Sequence, residues 1–430
     1  MTGRGAAPGR LSLGSWVLYD LANTIFALGV IGRYFPEWLA SVDQRDSALA
    51  LVEAAAGAIV VFVAPWAGAR SDVRGTRVPT LIVTTIVAVA ATALLATGPV
   101  VMSLLLLGVA LVAFNVGSVV YDALLVDVST PANRGRISGR GVGVGYLGSF
   151  VGLGLGVVTL DLLGWSYAAT FATLALAFLI LALPAFFFIT ERGGHDEAPL
   201  PRMRDVVSRL AASWRLASKY DGVVRFLVGR FLYTDAINTL IGGFLTIFVT
   251  RELGLDGDFV TALLAVAITA AIFGAFAAGR LVENLGPLRV LRGVLVLWMV
   301  AIGSGVAAAV SAEPGLAWAI GPLGGVALGA TWTADRVVMI RVSPPRHLGE
   351  FYGLYATVGR FATILGPLTW AVIVDVLDVG RLWAMGALIG FVVAGWWVLR
   401  EVDDTERVWP AADLPVAGRG TSTAPDAPPI

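Results

Sequence analysis

Residues 16–24 read WVLYDLANT, and residues 232–240 read LYTDAINTL. Each stretch sets an Asp, an Asn and a Thr (Asp20, Asn23, Thr24; Asp235, Asn238, Thr239) into a run that is otherwise apolar. A carboxylate in an apolar helix is expensive, and here it occurs twice, 215 residues apart. Two more segments repeat in the same order. VSTPANRGRISG from Val128 matches VSPPRHLGEFYG from Val342 at an offset of 214, and Gly68-x-x-x-Asp72-x-x-Gly75 matches Gly279-x-x-x-Glu283-x-x-Gly286 at 211. Three matches in one order at nearly one spacing imply a duplicated unit, one copy in each half of the chain.

The unit is built for lipid. The 430 residues are 57% hydrophobic and only 14% charged, with a mean hydropathy of +0.82. Soluble domains carry roughly 25% charged residues. Uncharged runs such as Trp165–Ile189 exceed the roughly 20 residues that span a bilayer. Twelve candidate spans follow, at 13–40, 48–69, 79–98, 100–127, 137–160, 166–189, 223–250, 259–282, 289–311, 315–341, 350–375 and 381–400. The polar break at 190–222 divides them six and six. Six is even, so both copies insert with the same orientation. Parallel repeats about an axis along the membrane normal describe the two halves of major facilitator transporters. With both termini cytoplasmic, nearly all arginines fall inside and only Arg33, Arg45, Arg251 and Arg381 fall outside, as the positive-inside rule requires.

The expected organisation is therefore a six-helix bundle over 1–189, a cytoplasmic linker over 190–222, a second bundle over 223–400, and a disordered tail rich in Pro, Ala and Thr over 401–430. In the linker, Met203, Val206, Val207, Leu210, Trp214 and Ala217 recur at helical spacing with Arg and Lys between them, the pattern of an amphipathic helix on the membrane surface. A solvated linker helix is the alternative. The chain has no cysteine, and no metal-ligand spacing, nucleophile elbow or phosphate-cradling loop is visible. No metal, cofactor or enzyme activity is expected. Gly143-x-Gly145-x-x-Gly148 spells a dinucleotide fingerprint but lacks the strand that motif needs. It reads as small-residue helix packing.

Ionisable groups inside spans are functional-site hypotheses. Asp20, Asn23 and Thr24 share one helical face, as do Asp235, Asn238 and Thr239, and the repeat should set the two faces across a central cavity. Paired carboxylates there could hold a proton, a cation or a substrate ammonium, because low dielectric disfavours the unneutralised charge. The structural alternative is that each Asp is capped by Arg230 or by backbone. Tyr19 and Tyr233 adjoin these faces as hydrogen-bonding candidates. Asp122 lies in the fourth span, Asp335 and Arg336 in the tenth and Arg360 in the eleventh. Arg336 and Arg360 could hold a substrate carboxylate, or simply neutralise Asp335 and Asp127. The loop GARSDVRGTR (Gly68–Arg77) with its second copy suggests a charged gate formed by Asp72, Arg74, Arg77 and Glu283.

Four segments carry a closer resemblance: WVLYDLANTIFALGVIGRYFPEWL from Trp16, YDALLVDVSTPANRGRISGRGVGVGYLG from Tyr121, GRFLYTDAINTL from Gly229 and GEFYGLYATVGRFATILGPL from Gly349. They resemble the vacuole-effluxer-like family of the major facilitator superfamily. The resemblance implies secondary transport by alternating access, and its eukaryotic members are associated with amino-acid efflux from the vacuole. The chain departs from the pattern at Asp122, where a neutral amide is usual, at GATWTADR (Gly329–Arg336), and at Arg360, where Lys is usual. The expectation is an all-α membrane protein with the twelve-transmembrane-helix major facilitator fold, acting as a monomer in the prokaryotic plasma or inner membrane. It would transport a small polar solute, amino acids among the candidates, with a coupled proton or cation. A multidrug or metabolite exporter is the alternative within the class. A non-transporting receptor or assembly factor is the alternative outside it.

Overall fold

In the computed structural model, residues 9–130, 134–191, 202–405, 409–410 and 413–414 are described, without side chains at 72–73, 134–136, 138–139 and 142. The described residues are helical, with no strand among them. The helices are α1 (Arg10–Ser41), α2 (Asp46–Arg74), α3 (Arg77–Ala93), α4 (Val100–Val128), α5 (Arg134–Gly156, continued by a wider turn Val157–Leu162) and α6 (Tyr167–Phe188). After a linker helix, Met203–Ala217, come α7 (Val223–Glu252), α8 (Gly257–Leu285), α9 (Pro287–Ser311), α10 (Ile320–Val342), α11 (Pro345–Val376) and α12 (Arg381–Leu399). Ten of these segments are long and apolar enough to cross a membrane, and α3 is a shorter apolar helix. The boundaries follow local chemistry. Ser166 and Asp256 cap α6 and α8 by accepting the N–H groups of Ala169 and Phe259, satisfying donors that a helix start leaves free. The repeated loop glycines Gly75 and Gly286 both take positive φ, +58° and +88°, where a side chain would be strained.

The buried apolar residues of the two halves join in one large cluster, and within each half glycines bring helices close together. In the first, α5 lies on α1 through the glycines of the apparent fingerprint: a Cβ at Gly145 would run into the Asp20 carboxylate, and one at Gly148 into the Leu21 carbonyl and Thr24. In the second, Gly321, Gly325 and Gly329 of α10 lie on the carbonyls of Leu263, Ala267 and Ala271 in α8. The glycines buy close helix approach rather than nucleotide binding.

The linker helix exposes Val207 and Trp214 and buries Val206 and Ala217. It is tied to the second half by Ser213, which hydrogen-bonds Glu350 at 2.5 Å. The start of the tail departs from the expectation of disorder. Val402 is buried, Asp404 accepts the Leu288 N–H at 2.9 Å, and Tyr220 donates to Asp413 at 2.7 Å. These contacts fix it because α9 starts with free N–H groups that Asp404 satisfies. Residues 415–430 lie outside the described residues.

Candidate functional site

Between the halves lies a cavity of about 470 Å³. Its wall is mostly apolar, with Leu28, Phe114, Leu264, Trp298 and Trp332 among its residues, and a few polar groups: Glu53 on α2, Asn115 on α4, Asn238 on α7 and Arg360 on α11. Both helices that carry the repeated Asp deviate from α geometry beside it. In α1 the turns widen over Ile25–Tyr34, and in α7 over Leu240–Phe244, where Gly243 takes φ +111°. Such interruptions recur where a helix bends at a functional site. The two helices cross at their glycines. A Cβ at Gly32 would sit 3.0 Å from the Ile241 carbonyl, and Thr246 donates to the Gly32 carbonyl at 2.6 Å.

The end of the bundle away from the chain termini, here called the distal end, is sealed by bonds between the halves. Asp46, the first residue of α2, is 0% exposed. It accepts from Arg251 on α7 at 2.7 Å, from Arg381 on α12 at 2.7 and 3.1 Å, and from Trp370 on α11 at 3.0 Å. Every donor belongs to the second half. Arg33 of α1 adds bonds to Thr261 and to the Gly257 carbonyl of α8 at 3.0 and 2.9 Å. Toward the terminal end, by contrast, Asp122 is 68% exposed, and its cross-half contact to Arg360 is 3.4 Å long. Arg336 is also exposed there.

The sequence profile described as "Vacuole effluxer Atg22 like" matches residues 126–406. This chain belongs to that family. A relative described as an uncharacterized MFS-type transporter, from Bacillus subtilis, is 26% identical over 88% of this chain and 92% of its own length. Autophagy-related protein 22-1 of Aspergillus niger is 24% identical over 56% of this chain, which spans 42% of that protein's length. Among solved structures, a bacterial homolog of the human lysosomal transporter Spinster, inward-facing and unoccupied, aligns with TM-score 0.67, 15% identity and 93% and 98% coverage of the two chains. A nucleoside transporter aligns at 0.70, with 12% identity and 91% and 99% coverage, and a D-xylose–proton symporter at 0.63, with 14% identity and 93% and 98% coverage. The fold is therefore that of the major facilitator transporters, and the Atg22-like chain is an integral membrane protein, not an enzyme.

The repeated carboxylates do not meet across the cavity of this Atg22-like protein. Asp235, 1% exposed, turns into its own half and accepts the Leu365 N–H at 3.0 Å. α11 is interrupted between Phe361 and Leu365, so that N–H has no partner in the preceding turn and the carboxylate caps it. Asp20 is partly buried against Gly145, within electrostatic range of Asp122 and Arg336. Thr24, Asn238, Thr239 and Arg360 do border the cavity. Tyr19 instead bonds Thr85 of α3 at 2.6 Å, and Asn23 is buried at 7% exposure.

The expected ion pairs also rearrange. Arg230 leaves Asp235 alone and pairs with Asp335 at 3.3 Å. Tyr355 donates to the same carboxylate at 2.9 Å, Tyr233 approaches it at 3.5 Å, and the Arg230 guanidinium lies 3.8 Å over the Tyr355 ring. Asp335 is thus neutralised by Arg230 rather than Arg336, because α7 and α10 present these two groups to each other inside the half. Asp127 is neutralised by Arg77 at 2.9 Å rather than by Arg360. That pairing takes Arg77 out of the expected gate and into a bond within the first half. Arg74 and Glu283 are exposed, and the side chain of Asp72 lies outside the described residues. Among the described residues, the buried ion pairs between the halves are those of Asp46 at the distal end.

Two residues of α2 escaped the sequence reading, Asp46 and Glu53. Their signal was present: acids seven residues apart, hence on one helical face, at the edge and inside an apolar span. The repeat does not mark them, because the offset of 211 that relates the α2 loop to its copy sets Gly257 opposite Asp46 and Leu264 opposite Glu53.

Proposed function

We propose that this Atg22-like protein is a secondary transporter that moves a small organic solute by alternating access, the two halves rocking about the central cavity, with a proton or another cation coupled. The observation that carries the reading is the asymmetry of the cavity's two ends. One is closed by Asp46 with three donors from the other half, and the other leaves Asp122 exposed. With the sealed end taken as outside by the charge rule, the reading is an inward-open carrier of twelve spans with both termini cytoplasmic, in a prokaryotic plasma membrane. The cavity volume, about 470 Å³, suits a small molecule. The sequence resemblance makes amino acids the first solutes to try, and the apolar wall favours those with apolar bodies. Asp46, Arg251 and Arg381 form a gate at the distal end, beside the one expected from the Asp72 loop at the other end.

The test is solute-dependent change of internal pH in proteoliposomes loaded with a pH dye. Pools of amino acids, sugars, nucleosides and organic amines are added outside in turn. A signal with one pool, absent from protein-free vesicles, is the expected result and names the solute class. Movement of neither protons nor any labelled solute from any pool would remove transport as the reading.

A further inference from the structure

Glu53 is the one wall residue of the cavity whose charge the protein itself leaves unanswered. It sits in the second turn of α2 and borders the cavity. Its Oε1 is buried and, among the described residues, has no hydrogen-bond partner, and none of the described salt bridges reaches it. Most other acids of the membrane region have a cationic partner: Asp46 two arginines, Asp127 Arg77, Asp335 Arg230 and Asp122 Arg360. Asp235 accepts a backbone N–H on one oxygen, while its buried Oδ1 has no partner among the described residues. Asp20 lies in range of Asp122 and Arg336. Neither of these two borders the cavity. Glu53 faces the α7 interruption. A Cβ at Gly242 would lie 3.0 and 3.2 Å from its two carboxylate oxygens, so the glycine leaves room for the carboxylate beside the widened turn Leu240–Phe244. The repeat sets Leu264 at the equivalent place, and Leu264 lines the same cavity. Duplication alone would supply a leucine or an acid twice, so the single carboxylate is an asymmetry that repeat symmetry does not explain.

An isolated carboxylate in an apolar enclosure costs several kcal/mol unless a cation or a proton neutralises it. The rest of the wall selects between polar and apolar cations. Phe114, Trp298 and Trp332 border the cavity together with Leu28, Leu245 and Leu264. Aromatic faces attract a cation electrostatically, and the aliphatic groups favour an apolar body over a strongly hydrated one. The arginine on the wall, Arg360, already has Asp122 as partner, so a carboxylate on the solute would have to displace it.

We infer that Glu53 is the recognition site for a monovalent organic cation with an apolar body, its charge against Glu53 and its body against Phe114, Trp298 and Trp332. This rests on the reading of the same cavity as a substrate site. The probe is radiolabelled tetraphenylphosphonium, beside tetraphenylborate, which has the same shape and the opposite charge. Equilibrium binding is measured on the purified full chain in detergent. Wild type is expected to bind the phosphonium saturably and not the borate. Glu53→Gln should weaken phosphonium binding by roughly thirtyfold or more, the loss expected when one partner of a desolvated charge pair is removed, with Glu53→Asp in between. Should Glu53→Gln fail to fold, the phosphonium-to-borate preference of wild type and its reduction in Glu53→Asp decide. Equal phosphonium binding by wild type and Glu53→Gln overturns the inference. So does wild type binding neither ion, or both alike. If the proteoliposome pH signal persists in those cases, transport stands and only this assignment falls.

Discussion

Asp46 and Glu53 stand two turns apart on one face of α2, opposite the same helix, and they live in opposite electrostatic conditions. α2 and α7 run antiparallel, so α2 meets α7 twice: Glu53 at Gly242 and Asp46 at Arg251. At the second meeting the carboxylate is saturated, with Arg251, Arg381 and Trp370 filling its lone pairs. At the first it faces a glycine. A fully partnered buried carboxylate is costly to disturb and so favours one arrangement of the halves. An unpartnered one is cheap to lose and leaves charge available to a ligand. The contrast assigns closure to Asp46 and recognition to Glu53, on a single rigid element.

The largest effect should come from Asp46→Ala. It leaves two arginines, only 16% and 22% exposed, facing each other without their shared anion. Breaking a buried pair this way costs about 3–5 kcal/mol, seen here as a lower midpoint of thermal unfolding and as greater reactivity of cysteines placed at the distal end. Next is Gly243→Ala. The φ of +111° suits glycine, and an added Cβ would strike Pro36 and approach the Ile31 carbonyl of α1. Backbone strain of ~1–3 kcal/mol should separate α1 from α7 at the crossing and lower the unfolding midpoint, while the more open position Gly279 tolerates the same change.

Arg381→Ala should be milder, about 1–2 kcal/mol, because Arg251 still neutralises Asp46. A double-mutant cycle with Arg251→Ala should then show non-additivity of at least ~1 kcal/mol, as expected for residues in one network. Glu53→Gln should be the smallest perturbation, within about 1 kcal/mol of wild type and in the stabilising direction, since it removes an unanswered charge. Comparing its unfolding midpoint with that of Asp46→Ala sharpens the contrast. A large loss at Glu53 would mean that the carboxylate has a structural partner and that the two sites are alike.

The sequence carried the fold further than the site. Apolar run lengths, the loop glycines and the three repeated segments located both halves, because helix boundaries and lipid exposure are local properties. Charge pairing is not local. Asp46 meets Arg251 and Arg381 over separations of 205 and 335 residues, and no spacing rule connects them. Repeat symmetry marks some acids and not others. It directed attention to Asp20 and Asp235, one of which caps an interruption in α11, and away from Glu53, whose counterpart is a leucine. The pairs Arg230–Asp335 and Arg77–Asp127 were composed of residues visible in the sequence, but which acid meets which arginine depends on helix rotation that hydropathy does not fix.

The central claim, that Asp46 holds the distal end shut, is tested most directly by a distance across that end. The chain has no cysteine, so spin labels can be attached at cysteines replacing the exposed residues Arg45 and Val379, one in each half. Double electron–electron resonance in lipid nanodiscs then compares wild type with Asp46→Ala. The account predicts one short-distance population in wild type and a second, longer one in the variant. Identical distributions in the two proteins would contradict it.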